Sequence, residues 1–299
     1  MTIIRKRFTH TLLPALLAAF AGFAACSSDD DAPEPPKPSG YDIYTAGYTT
    51  PASKAVATVW KNGQLLYTLT DGTNDAWAYA VCVSDGTVYA AGYERQGDRI
   101  VAKVWENGTL KYTPGAPGAD SYAYSVFAAN GSLYTAGSEE SGGALTAKIW
   151  KDGDALYAYS VSPAVSQARS VCVSGGAAAV WKDKELLYTL TDGSSYAEAT
   201  AVCRFGHTLY TAGYHTDGFE EEGVVWKEGQ ELFDLSDGPG SGSMPYSVAV
   251  CYDDIFTAGT IFGTTRTAVV WHGDEIRYTL SDGTGHSEAY SMYVVPLYD

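Results

Sequence analysis

From residue 41 onward the chain is a succession of short apolar runs separated by polar punctuation. The runs are rich in Val, Tyr, Thr and Trp, and Gly, Asp or Asn bounds each of them. Such residues suit a pleated surface and such boundaries suit tight turns, so the pattern predicts strands joined by short connections. The runs also recur. Trp60, Trp105, Trp150, Trp181, Trp226 and Trp271 are separated by 45, 45, 31, 45 and 45 residues, and each sits in a version of VWKNG. A YTAGY-like run starts at Tyr44, Tyr89, Tyr134, Tyr210 and Phe256. An AYAVCV-like run starts at Ala78, Ala123, Ala168, Ala199, Pro245 and Ala289, and a fourth signature, LLYTLTDGT, starts at Leu65 and returns as IRYTLSDGT at Ile276.

Four antiparallel strands in a period of about 45 residues define one β-propeller blade. They are named here A (AYAVCV), B (YTAGY), C (VWKNG) and D (LLYTL). The chain enters at a B strand, near Asp42, and finishes on a lone A strand, Ala289 to Val294. Joining the two ends in one blade closes the ring and removes the open sheet edges. Six A strands and six tryptophan strands predict an all-β, six-bladed propeller over residues 41–299. The fourth unit, about residues 159–192, is short: its A strand runs through Ser174-Gly175-Gly176 straight into the tryptophan strand, and strand B is missing.

The repeat also sorts its residues. The six tryptophans are expected to be core. Gly47, Gly92, Gly137, Gly213 and Gly259 fall inside strand B, where glycine weakens a strand, so a large group is expected against that backbone. The repeated tryptophan is the expected group. Asn62-Gly63 and Asn107-Gly108 predict tight hairpins whose two central residues have positive φ.

The first 40 residues read as an address. Arg5, Lys6 and Arg7 precede an uncharged apolar run from Thr11 to Ala25, 15 residues against the roughly 20 that span a bilayer. Residues 1–25 are therefore expected to be a signal peptide. Ala24 and Ala25 before Cys26 resemble the lipobox of bacterial lipoproteins, which implies lipidation of Cys26 and a membrane as partner. Phe23 departs from the usual Leu of that motif. Ser27, Ser28 and Asp29 to Asp31 resemble the acidic export signal of Bacteroidota surface lipoproteins, which implies the outer face of the outer membrane. Pro33, Pro35, Pro36 and Pro38 then make residues 26–40 a stiff spacer.

Candidate chemistry is sparse. With 19 Lys plus Arg against 35 Asp plus Glu, the net charge of −16 repels phosphate backbones and argues against nucleic acid as a partner. Zinc-protease, phosphate-loop, paired-cysteine and serine-hydrolase signatures are absent, and no cofactor or metal is predicted. Cys82, Cys172 and Cys203 share one position of strand A and Cys251 lies close to it, so free thiols are expected over a disulfide framework. His215, Asp217 and Glu220 to Glu222 are expected to form a solvated acidic loop between strands B and C. The Asp-Gly steps at Asp71, Asp192, Asp237 and Asp282 read as turns.

The second position of strand A varies round the repeat: Tyr79, Tyr124, Arg169, Thr200, Tyr246 and Tyr290. In a propeller this strand lines the central channel. Tyr79, Tyr124, Arg169, Tyr246 and Tyr290 would then present flat apolar faces, hydroxyls and one charge, suited to sugar rings or peptide side chains. Trp77, the one tryptophan outside the repeat position, is expected on the loop leading into this strand and completes the candidate set.

The YxAGY runs and the VWKNG runs, over residues 41–299, resemble the repeat arrays of Bacteroidota surface lipoproteins. The resemblance implies a propeller displayed on a lipid anchor. The sequence is read as a monomeric, non-catalytic binding module for a glycan or an extracellular protein. A glycan-processing hydrolase or lyase is the alternative, with Glu198, Asp75 and Glu288 as its carboxylates. An adhesin or scaffold using the propeller rim is the third reading.

Overall fold

The computed structural model describes residues 36–299 apart from 130, 142–143, 160–172, 175–176, 183–184, 192–195, 217–219, 236–241 and 282–284. All of these belong to one compact unit, Glu34–Asp299. Cys26, the signal segment, Arg169, Cys172 and the Asp-Gly steps at 192, 237 and 282 lie outside the described residues.

Every regular element among the described residues is a strand. In chain order, β1 (Gly40–Thr49), β2 (Val56–Lys61) and β3 (Gln64–Thr68) come first, then β4 (Ala76–Ser84), β5 (Thr87–Gln96), β6 (Arg99–Glu106) and β7 (Thr109–Tyr112). They are followed by β8 (Ser121–Ala129), β9 (Ser132–Ser141), β10 (Ala144–Lys151) and β11 (Asp154–Tyr159). The short unit supplies β12 (Val173–Ser174), β13 (Ala177–Lys182) and β14 (Glu185–Thr189). The last two full units are β15 (Ala197–Phe205), β16 (Thr208–Thr216), β17 (Glu221–Lys227), β18 (Gln230–Asp234), and β19 (Ser243–Cys251), β20 (Asp254–Phe262), β21 (Arg266–His272), β22 (Glu275–Thr279). The last strand is β23 (Ser287–Leu297).

Each unit folds into its own antiparallel sheet. Five sheets have four strands, and the short unit makes a three-stranded one in the order β12-β13-β14. The terminal strand returns to the beginning: the first sheet reads β23-β1-β2-β3, with Gly40 opposite Leu297 and Thr49 opposite Ser287. Inner strands of successive sheets lie side by side, β15 on β19, β19 on β23, β23 on β4 and β4 on β8. The arrangement is propeller-like.

Packing between sheets follows the repeat. Trp60, Trp105, Trp150, Trp226 and Trp271 are all at most 3% exposed. Trp105 lies in a core cluster with Tyr44, Val59, Ala78 and Val81, drawn from both its own sheet and the preceding one. Serines at the start of inner strands clasp neighbouring sheets. The hydroxyls of Ser121, Ser243 and Ser287 each accept a backbone N–H of the preceding sheet, from Ala102, Gly223 and Ala268, at 2.9 Å. In the C-to-D turns, Asn62 (φ 50°) and Asn107 (φ 47°) adopt the predicted positive φ. Their side-chain oxygens also accept the N–H of Ile43 and Val88, which ties each turn to strand B.

The strand B glycines have a different cause from the one expected. The inner strand of each four-stranded sheet carries a β-bulge whose extra residue is the variable second position: Tyr290, Tyr79, Tyr124, Thr200 and Tyr246. Directly opposite each bulge stands a glycine. A Cβ on Gly47, Gly92, Gly137, Gly213 or Gly259 would lie 1.8 to 2.3 Å from the carbonyl oxygen of the residue two before the extra one. The group against the glycine is thus backbone carbonyl, not tryptophan.

Candidate functional site

Bulges re-aim side chains, and here the result is a shared aromatic cluster. Tyr79 stacks on Tyr290 with ring centroids 4.7 Å apart and on Tyr93 at 5.4 Å, and meets Tyr124 edge-on at 5.8 Å. Tyr246 meets Tyr290 edge-on at 5.2 Å. Trp77 packs on Tyr93 at 5.1 Å and on Tyr48 at 6.3 Å, while Tyr122 stacks on Tyr124 at 5.8 Å. Four different sheets contribute to this one cluster. Its rings remain half-buried, apart from Tyr48, which is 9% exposed.

The structure brings together five of the six expected residues, Trp77, Tyr79, Tyr124, Tyr246 and Tyr290; Arg169 lies outside the described residues. It corrects the place of Trp77, which is the second residue of β4, opposite Tyr93, and not part of a loop. Inner strands start two residues before the repeated alanine, because the ladder with strand B continues past the bulge.

Sequence reading missed Tyr48, Tyr93, Tyr122 and Tyr214. The signal was present: Tyr48, Tyr93 and Tyr214 are the last residues of their YxAGY runs, where the other two runs have Ser138 and Thr260. The residue before each repeated alanine varies in the same way, as Trp77, Tyr122, Glu198, Met244 and Glu288. These two variable columns face each other across the ladder: Trp77 opposite Tyr93, Glu198 opposite Tyr214, Glu288 opposite Tyr48.

Two of those residues bring carboxylates to the cluster. Glu288 is 3% exposed. Its Oε2 accepts the Tyr290 hydroxyl at 2.8 Å, and its Oε1 receives Arg266. Burial and then the Glu288 charge push the Tyr290 and Tyr246 hydroxyls well above the usual tyrosine range, and Tyr48 to about 12. These hydroxyls therefore stay protonated and donate. On the neighbouring side Glu198 accepts the Tyr214 hydroxyl at 3.0 Å. Burial and this bond raise Tyr214. Thr200, the one non-aromatic extra residue, donates to the carbonyl of Pro245 at 2.6 Å and so joins two inner strands.

Other residues singled out in the sequence are spent on structure or lie elsewhere. Asp75 accepts the Ala55 N–H at 2.9 Å and pairs with Lys54 at 3.0 Å, so it fastens the first sheet to the second. His215, Glu221 and Glu222 are in paired strands, not in a loop, and His215 Nδ1 lies 3.8 Å from Glu222. No group of metal-ligating side chains occurs among the described residues. Cys82, Cys203 and Cys251 are free; Cys82 is buried and the other two half-buried. Burial raises the Cys82 thiol to about 11.

No family model matches this chain. No curated protein matches it either. Among solved structures, a Bombyx mori GH32 beta-fructofuranosidase superposes with a TM-score of 0.32 at 9% identity, over 73% of this chain and 49% of that one. The chain thus spans about half the length of that structure.

Proposed function

We propose that residues 41–299 form a six-bladed β-propeller, tethered to the outer membrane through lipid on Cys26, whose aromatic end binds an extracellular glycan or protein. The carrying observation is the convergence of Trp77, Tyr79, Tyr93, Tyr122, Tyr124, Tyr246 and Tyr290 from four sheets, with rings partly exposed. A structural core would bury them as fully as the repeated tryptophans. Partly exposed rings with hydroxyls and nearby carboxylates offer stacking faces and polar contacts, the usual ingredients of a binding face.

The blade count rests on five four-stranded sheets, a three-stranded sixth and terminal strands that share one sheet. Pro36 and Ser39 bond to Tyr252 and Leu297, at the end of the sheets opposite Trp77 and Glu288. Binding is favoured over glycan processing because Glu288 has both oxygens engaged, by Arg266 and Tyr290, which suits a fixed charge better than a proton shuttle.

The test is a glycan array probed with the full chain carrying Cys26→Ala, beside the same chain with Trp77→Ala. Binding that the second change abolishes supports a lectin-like module. Absence of any glycan binding redirects the search to polypeptide ligands.

A further inference from the structure

The rings of the aromatic cluster are not equivalent. Tyr79 packs on three others, stacked with Tyr290 at 15° and with Tyr93 at 24°, and edge-on to Tyr124 at 80°. Much of its ring surface is therefore spent inside the protein. Trp77 is placed differently. Both of its ring neighbours meet it at an angle, Tyr93 at 49° and Tyr48 at 71°. Its indole stays partly exposed, where the repeated tryptophans Trp60, Trp105, Trp150, Trp226 and Trp271 are at most 3% exposed.

The charges around Trp77 balance. Asp75 lies two residues before it, and Glu94 follows its ladder partner Tyr93. Asp75 pairs with Lys54 and has Arg95 close by; Glu94 pairs with Lys103, which also stands near Asp71. Three carboxylates thus meet three cations, in a chain whose net charge is −16. Neutral polar groups complete the border. The Asn74 and Gln96 amides donate to Glu94 at 3.4 and 3.1 Å, and the Tyr79 and Tyr93 hydroxyls lie 3.3 Å apart. All of these groups belong to the first two sheets and the segment that joins them.

We propose that Trp77 is the platform for one neutral pyranose ring of a glycan, whose hydroxyls meet the amides and paired ions at its border. The inference rests on the reading that the aromatic end is a binding face, and it selects a neutral glycan over an acidic one or a peptide. A pyranose has an apolar C–H face and a rim of hydroxyls, which the indole face and the polar border match in turn. A balanced patch gives an ionised ligand no net attraction, and the acidic remainder of the chain repels an anion. An apolar peptide anchor is best held in an enclosed, desolvated slot, which a border of paired ions does not provide.

The test uses the full chain carrying Cys26→Ala, labelled with fluorotryptophan and followed by fluorine NMR. The Trp77 line is the one missing from Trp77→Phe. The probes are neutral glucose, galactose and mannose trisaccharides, a galacturonate trisaccharide and a tyrosine-containing tripeptide. A neutral trisaccharide is expected to shift the Trp77 line. Its affinity should stay within about twofold between roughly 50 and 500 mM salt, because an uncharged contact is not screened. Trp77→Ala should weaken it at least about tenfold, and Trp77→Phe, which keeps a smaller ring, by less. A galacturonate or tripeptide probe that binds as tightly as the best neutral sugar, or a neutral sugar whose affinity follows salt, overturns the proposal. If only the galacturonate or the tripeptide moves the Trp77 line, this inference fails alone and the binding face stands. A Trp77 line unmoved by every probe overturns both.

Discussion

The Cβ that Gly92 lacks would stand 1.9 Å from the carbonyl oxygen of Trp77. That approach is what the bulge requires. With Tyr79 inserted as an extra residue, β4 bends toward β5, and only a residue without a side chain lets the two backbones meet. Glycine in one strand and the extra residue in its partner are therefore two parts of one device, found in five sheets, with tyrosine as the extra residue in four and Thr200 in the other.

Gly92→Ala should consequently cost stability out of proportion to a single methyl. Strand displacement of this kind is worth about 1–3 kcal/mol or more. Gly263→Ala is the control, since the nearest atom to its Cβ would be 3.7 Å away. Urea unfolding of both variants checks this: equal midpoints would mean that the bulge tolerates a side chain.

Trp105 is 1% exposed and packs against the preceding sheet. Its replacement by Ala should lower stability by about 3–5 kcal/mol, the usual range for emptying such a site. A loss below about 1 kcal/mol would deny it a core role.

Ser121→Ala removes the hydroxyl that accepts the Ala102 N–H and leaves a buried donor unpaired. The expected cost is about 1–3 kcal/mol. Ser121→Thr keeps the acceptor, so the hydroxyl rather than the volume is at issue if only Ala destabilises.

The stack of Tyr79 on Tyr290 should appear as coupling. A double-mutant cycle with Leu at both positions is expected to give about 0.5–1.5 kcal/mol. Purely additive effects would mean that the rings meet without mutual stabilisation.

Acid should weaken the clasp at Asp75. The Ala55 N–H first, and then Lys54, hold its carboxyl below the usual range, with burial opposing. A carboxyl lowered on folding stabilises above its unfolded pKa of about 4, and that share is lost as pH falls through the folded value. The stability gap between wild type and Asp75→Asn should therefore be full at pH 6 and close below pH ~4. Taking the difference cancels the effect of overall charge. A gap that widens on acidification contradicts the assignment.

Much of the architecture was legible along the chain because the repeat exposes it. Trp60 to Trp271 recur at a period that only one four-stranded unit explains, and a lone Ala289–Val294 segment has no other place than beside β1. The hairpin asparagines announce positive φ by their chemistry alone. Within the repeat, columns that stay the same turned out to be packing and columns that vary turned out to be the cluster.

Tertiary structure alone decided why Gly92 is glycine, that Trp77 belongs to a strand, and which tyrosines touch. A period records that a small residue is needed, but not whether a ring or a carbonyl presses on it. Tyr79 and Tyr290 are more than two hundred residues apart, and their contact depends on a bulge and on ring closure. Glu288 shows this directly: its cation, Arg266, arrives from the neighbouring sheet, twenty-two residues away along the chain. Local composition sets the elements, whereas the electrostatic balance of a site is fixed by residues that arrive from other sheets.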